Sequence, residues 1–190
     1  MAFSRRSASL SVMKATVRLH NRIVAAVLST MLALPVQAQS QKLDDLFDRL
    51  KSADEQTAVR LEREIILEWS KSGSPSMDLL LQRGKDAMDA SQPQVAIEHL
   101  TALIDHDPDF AEGWTTRAMA YIAIGKLGPA VDDLSHALDL NPRHFGALAS
   151  LGMIFEEIER PQKAVEAYKA ALELNPQMTD VKDAVKRIET

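Results

Sequence analysis

The sequence predicts an all-α protein: an α-solenoid (superhelix) of stacked helix–turn–helix hairpins, three repeated units with a helical hairpin before them and a capping helix after them. Three observations carry this expectation. Residues recur every 34 positions without insertion, so that Ala96, Ala130 and Ala164 align, as do Gly84, Ala118 and Gly152; Leu100, Leu134 and Tyr168; and Pro108, Pro142 and Pro176. Apolar residues between these markers are spaced by three and four, the interval that keeps side chains on one face of an α-helix. Proline and glycine punctuate the units near helix starts and ends. A fixed period of this length implies one supersecondary unit stacked on copies of itself, because no single unit can bury its own apolar face.

The chain has 190 residues, 46% apolar and 26% charged, enough for one domain of moderate size. Its first 38 residues differ in kind. They carry Arg5, Arg6, Lys14, Arg18 and Arg22, no acidic residue, and the apolar run Ile23 to Leu34. This is the pattern of a secretory signal peptide, with cleavage expected after Ala38 in Val36-Gln37-Ala38 and a mature start at Gln39. Translation from Met13 would give the segment a more usual signal length. Arg5-Arg6 lies far from the apolar run, which argues against a twin-arginine signal. The apolar run of 12 residues is shorter than the roughly 20 that spanning requires, so membrane contact is expected only through an uncleaved leader. The expected location is therefore the periplasm or the medium. The chain has no cysteine, which excludes disulfides and thiol-linked lipid.

Without the five leader bases, 17 basic residues face 27 acidic ones, about −10 for residues 39–190. Nucleic acid is excluded as a partner class on this ground, since a polyanion binder needs clustered Lys and Arg to release counterions.

Residues 39–76 read as a lead-in. Leu43, Leu46, Phe47 and Leu50 recur at helical spacing, and Ser52 followed three residues later by Glu55 resembles a capping box. A second helix then runs to about Lys71 on an apolar stripe of Val59, Leu61, Ile65, Ile66 and Trp69, and Gly73-Ser74-Pro75 stops it. Set back on the 34-residue ruler, Leu46 and Ile66 fall at large-apolar positions, but Leu50 replaces the small residue. The expectation is a degenerate hairpin that caps the end of the stack.

The three units span 77–110, 111–144 and 145–178, with the repeat pattern running from 77 to Pro176. In the middle unit helix A carries Trp114, Ala118 and Tyr121 on one face, and helix B carries Ala130, Leu134 and Ala137. The small residues permit close approach of two helix backbones, and the large ones fill the space around that contact. Pro93 and Pro161 start helix B, where a missing N–H does no harm, and Gly125 serves the A-to-B turn. Asp107-Pro108, Asn141-Pro142 and Asn175-Pro176 end helix B. Residues 179–190, with Val181, Val185 and Ile188 on one face, form the capping helix. Arg117 and Asp133 lie 16 residues apart, a spacing that brings them together across the hairpin, and an ion pair is expected there. The same spacing joins Arg83 to His99, which offers none.

These positions resemble the tetratricopeptide repeat family, whose unit is a 34-residue helix–turn–helix. Unit three fits best, through Leu148, Leu151, Gly152, Phe155, Ala164, Tyr168, Ala171 and Pro176. Unit two departs at Arg117, where the family usually has an aliphatic residue, and unit one at Arg83 and Ala87. The resemblance implies a concave wall lined by the A helices that binds a protein or peptide partner. That wall would comprise Asp78, Leu81, Lys85 and Met88; Glu112, Thr115, Met119 and Ile122; and Gly146, Ala149, Met153 and Glu156. Its middle is apolar and its ends acidic, which suits a basic or amphipathic partner, with methionines as an adaptable surface. The Lys and Asn clamp by which some members hold acidic chain ends is missing, Lys85 being the lone cation.

Catalytic chemistry finds no support. His99, His106, His136 and His144 form no metal-binding pair on a helix, and surface or turn positions account for them. Sequence-adjacent carboxylates such as Glu156-Glu157 point to different helix faces. There is no nucleophile motif and no phosphate loop. The expectation is a non-enzymatic interaction module that needs no cofactor and takes no small-molecule substrate: an envelope adaptor or scaffold holding its partner in the groove. The alternative is a structural subunit of an envelope complex binding through its ends or convex face, or an accessory subunit of an enzyme.

Overall fold

Each repeat closes through one residue in the left-handed backbone region, and these three residues keep the 34-residue period: Ser91 (φ 57°), Gly125 (φ 70°) and Glu159 (φ 57°). The amide after each, of Gln92, Lys126 and Arg160, donates five residues back to the carbonyl of Ala87, Tyr121 and Phe155. The amides of Ser91, Gly125 and Glu159 themselves donate to Met88, Ile122 and Glu156. This is the Schellman geometry that ends a helix by satisfying its last carbonyls. A side chain in this region costs roughly 1–2 kcal/mol, and glycine gives back roughly 0.4–1 kcal/mol through unfolded-state entropy. Glu159→Gly is therefore expected to raise stability by about 0.5 kcal/mol, read from the midpoint of urea unfolding.

The computed structural model describes residues 40–190, so the leader and its cleavage site lie outside the described residues. These residues form nine helices and no strand. They are α1 (40–51), α2 (Glu55–Trp69), α3 (Pro75–Asp89), α4 (Pro93–His106), α5 (Ala111–Ala123), α6 (Leu127–Leu140), α7 (Phe145–Glu157), α8 (Pro161–Leu174) and α9 (Thr179–Glu189). Pro75, Pro93 and Pro161 each open a helix, Pro75 starting α3 as well as ending the linker before it. Asp107, Asn141 and Asn175 end the B helices α4, α6 and α8. The A helices α3, α5 and α7 pack on α4, α6 and α8, and each unit then packs on the next.

Close approach within each hairpin follows the small residues. A Cβ on Gly84 would stand 2.6 Å from Leu100 Cγ, and one on Gly152 would stand 2.4 Å from Tyr168 Cδ1 and Cε1. Ala118, Ala130 and Leu134, at the equivalent places in the middle unit, are fully buried. The Tyr168 ring is rigid and closed in by α9, whose Val181 and Ala184 share its core. Gly152→Val is expected to cost about 2 kcal/mol through overpacking, measured by chemical denaturation.

The lead-in departs from expectation. Helix α2 is capped not by Ser52 but by Asp54, whose carboxylate accepts from the Thr57 amide at 2.7 Å and lies below the usual carboxylate range because of that bond. Ser52 Oγ turns back to the Arg49 carbonyl. The buried face of α2 is Ala58, Leu61, Ile65 and Glu68, while Val59 and Ile66 face outward. The hairpin does not cap the end of the stack either. Phe47 meets Phe145 (6.2 Å between ring centroids), Trp69 stacks on His144 (4.4 Å), and Gln177 Nε2 donates to the Ala53 carbonyl at 3.0 Å. It lies along the repeats against residues of the A helices and their caps, held there by aromatic contacts.

Candidate partner-binding face

The A helices place the expected wall residues in two groups. Leu81 and Thr115 are 2% and 8% exposed, and Thr115 Oγ1 donates to the Ala111 carbonyl of its own helix, so neither presents a side chain to a partner in this state. Leu81 sits at the bottom of a cleft of about 480 Å³ between α2 and α3, with Arg63, Ile66 and Leu67 on one side and Asp78, Gln82 and Lys85 on the other. Met88, Ile122 and Ala149 pack partly into the cores of their own hairpins. Met119 and Met153, one repeat apart, remain 40% and 41% exposed. Ser150 Oγ lies 3.4 Å from Met119 Sδ and bridges the two units at this point.

The acidic rim expected at Glu112 is an interior. Glu112 is 7% exposed and ties unit one to both ends of unit two: Lys85 Nζ of α3 donates to its Oε1 at 2.9 Å, and His144, the cap of α7, meets its Oε2 at 3.2 Å. Lys85 is thus not a free cation of the groove. His144 Nδ1 accepts the Ala147 amide at 3.1 Å, which assigns the proton to Nε2, the atom facing Glu112. Burial pushes the Glu112 carboxyl up, but the His144 hydrogen bond and the Lys85 charge overcome it and hold the group below the usual glutamate range. His144 is 5% exposed, not a surface histidine. It fills a place that is Phe110 and Met178 in the neighbouring units, and a histidine in that apolar column was the one sequence signal for this network.

Beyond Met153 the face opens into a cleft of about 580 Å³ lined by Glu156, Glu157, Tyr168, Asp180, Ala184 and Arg187. Glu156 accepts from Tyr168 Oη at 3.2 Å and from Arg187 Nη2 at 2.5 Å. Burial, with the Glu156 charge beside it, pushes the Tyr168 phenol up to about 12, so it stays a neutral donor. Asp180 and Arg187 come from α9 and lay outside the expected wall, which was drawn from A helices alone. Among the described residues no group of three or more acidic or histidine side chains is placed to hold a metal ion.

The Arg117–Asp133 pair forms as the spacing predicts: Nε and Nη2 donate to the two carboxylate oxygens at 2.8 Å each, and Nη1 reaches Thr101 Oγ1 at 3.1 Å.

Residues 85–185 match the family described as "Psidin, N-terminal TPR repeats region". The chain belongs to the tetratricopeptide repeat family. It is 34% identical over 137 residues to a TPR repeat-containing protein of Rhizobium etli, a match covering 72% of this chain and 67% of that protein. It is 31% identical over 108 residues to the protein SGT1 homolog of Bos taurus, covering 57% of this chain and 32% of the relative. Among solved structures, the first TPR of Spaghetti (RPAP3) bound to the HSP90 peptide SRMEEVD superposes with a TM-score of 0.59 at 25% identity, covering 61% of this chain and 92% of that one. The tetratricopeptide fold of this chain is thus that of a protein-interaction module, and its solved neighbours include peptide complexes.

Proposed function

We propose that this tetratricopeptide protein is a non-enzymatic adaptor that holds a basic, amphipathic peptide or helix against its concave face, in the periplasm or outside the cell once the leader is removed. The observation that carries this reading is the exposed Met119–Met153 strip running into the acidic cleft of Glu156, Glu157 and Asp180. Unbranched thioethers adapt to varied apolar side chains, while the carboxylates select cations at the strip's end. The peptide bound by the RPAP3 domain is consistent with a partner of this size, although its acidic sequence is opposite in charge to the one favoured here.

Selection from a displayed peptide library should enrich sequences that pair apolar residues with Lys or Arg. Met119→Glu combined with Met153→Glu should weaken them by about 2 kcal/mol or more, measured by titration calorimetry, because two charges then enter an apolar contact. Enrichment of nothing, or of peptides indifferent to both substitutions, overturns the reading.

A further inference from the structure

Part of the A-helix side of the repeats is already covered by the chain itself. On α2, Leu61, Ile65 and Trp69 follow one another at intervals of four, the spacing of one helix face. The hairpin is fixed at points in every unit. Lys85 Nζ of unit one donates to Ser70 Oγ at 2.9 Å; Trp69 lies 4.4 Å from His144 and 5.2 Å from Phe145 where units two and three meet; Asn175 Nδ2 donates to Glu62 at 3.4 Å at the far end. Phe47 of α1 adds its edge to Phe145 and lies beneath the Arg143 guanidinium at 3.9 Å.

Two features separate this segment from the repeats. The repeats are held by contacts between sequence neighbours, whereas the hairpin's bonds to Asn175 and Gln177 span 113 and 124 residues and close no repeat interface. It is joined to α3 through a short link containing Gly73, at φ 83° with nothing near its Cα substituent position. A unit attached in this way can open while the stack stays folded.

We propose that residues 45–69 are a tethered ligand of the repeat stack, exchangeable for a partner helix that presents two aliphatic residues and an aromatic one at the spacing of Leu61, Ile65 and Trp69. The part of the repeat surface that the hairpin covers is then a second binding surface, floored by His144 and Phe145 and uncovered when the partner enters. This deepens the adaptor reading, and it specifies a helix where the Met119–Met153 strip accepts any amphipathic segment.

The test uses the full chain and a fluorescein-labelled peptide of residues 53–71. The chain carrying Trp69→Ala should capture the wild-type peptide at least roughly tenfold more tightly than the unmodified chain does, and a peptide carrying the same substitution should not bind. A Trp69→Ala chain with intact helical circular dichroism that fails to bind the wild-type peptide overturns the proposal. If Trp69→Ala does not fold, hydrogen exchange on the unmodified chain decides. Residues 45–69 exchanging ahead of α5–α8 supports a separable ligand, and exchange of all of them in one step overturns it. A failed library selection alongside capture of the α2 peptide would remove only the basic-peptide reading.

Discussion

Replacing Glu112 with alanine is expected to destabilise the protein by about 3 kcal/mol, because it removes the buried carboxylate to which both the buried His144 and the partly exposed Lys85 are bonded. The substitution leaves the His144 Nε2–H buried without an acceptor and Lys85 without its counter-charge, although Lys85 keeps Ser70 and is partly solvated. Glu112→Gln retains an acceptor but no charge and should cost about half as much. The loss should also depend on pH. Glu112 is held below its ordinary range in the folded state, so its contribution is fully present above the unfolded-state pKa and is lost as pH falls through the folded value. The difference between wild type and Glu112→Ala should therefore be greatest near neutrality and shrink below roughly pH 4. Glu62, raised by burial, contributes with the opposite sign, but it is common to both proteins and cancels in the difference. Urea titrations at several pH values measure this, and a difference that stays constant into acid would show that an ionised Glu112 is not the partner described.

The repeat was legible because its determinants are local. Gly84 and Gly152 are small where a Leu100 or Tyr168 side chain arrives from 16 residues downstream, and prolines mark helix starts, so the 34-residue register carries both the hairpins and their stacking. The same logic exposed Arg117–Asp133, a contact within one hairpin. The register was silent where contacts leave the period. Trp69 on His144 and Gln177 on Ala53 join segments 75 and more residues apart, and nothing in the pattern of α2 distinguishes burial against a neighbouring repeat from burial along several repeats at once. For that reason the sequence predicts a cap for the lead-in and a wall drawn from all three A helices. The left-handed turns were half visible, through Gly125 but not through Ser91 or Glu159, since the Schellman hydrogen bonds impose φ > 0 on whichever residue stands there.

The Arg117–Asp133 pair offers the sharper test of how the stack tolerates a polar group at a position the family pattern makes aliphatic. Asp133 is almost wholly buried and Arg117 nearly so. Hydrogen bonding to Asp133 outweighs burial and raises the Arg117 pKa, so the guanidinium stays charged. Arg117 also lies over the Trp114 and Tyr121 rings, at 5.0 and 5.8 Å, which spreads its contacts along α5. Either Asp133→Leu or Arg117→Met alone should cost about 3 kcal/mol, since each leaves the other charge in the interior without its partner. The double substitution supplies two apolar side chains to an apolar hairpin and should cost much less than the sum, with a coupling of about 2 kcal/mol in a double-mutant cycle. Additive losses would mean that the bidentate bonds carry nothing and that Arg117 acts only through its stem and the rings. A full recovery in the double variant would instead show that the pair is a substitute for the aliphatic contact, equal to it in stability, with a geometric demand that the aliphatic contact lacks: Asp133 fixes the rotation of α6 against α5 to within the reach of two 2.8 Å bonds.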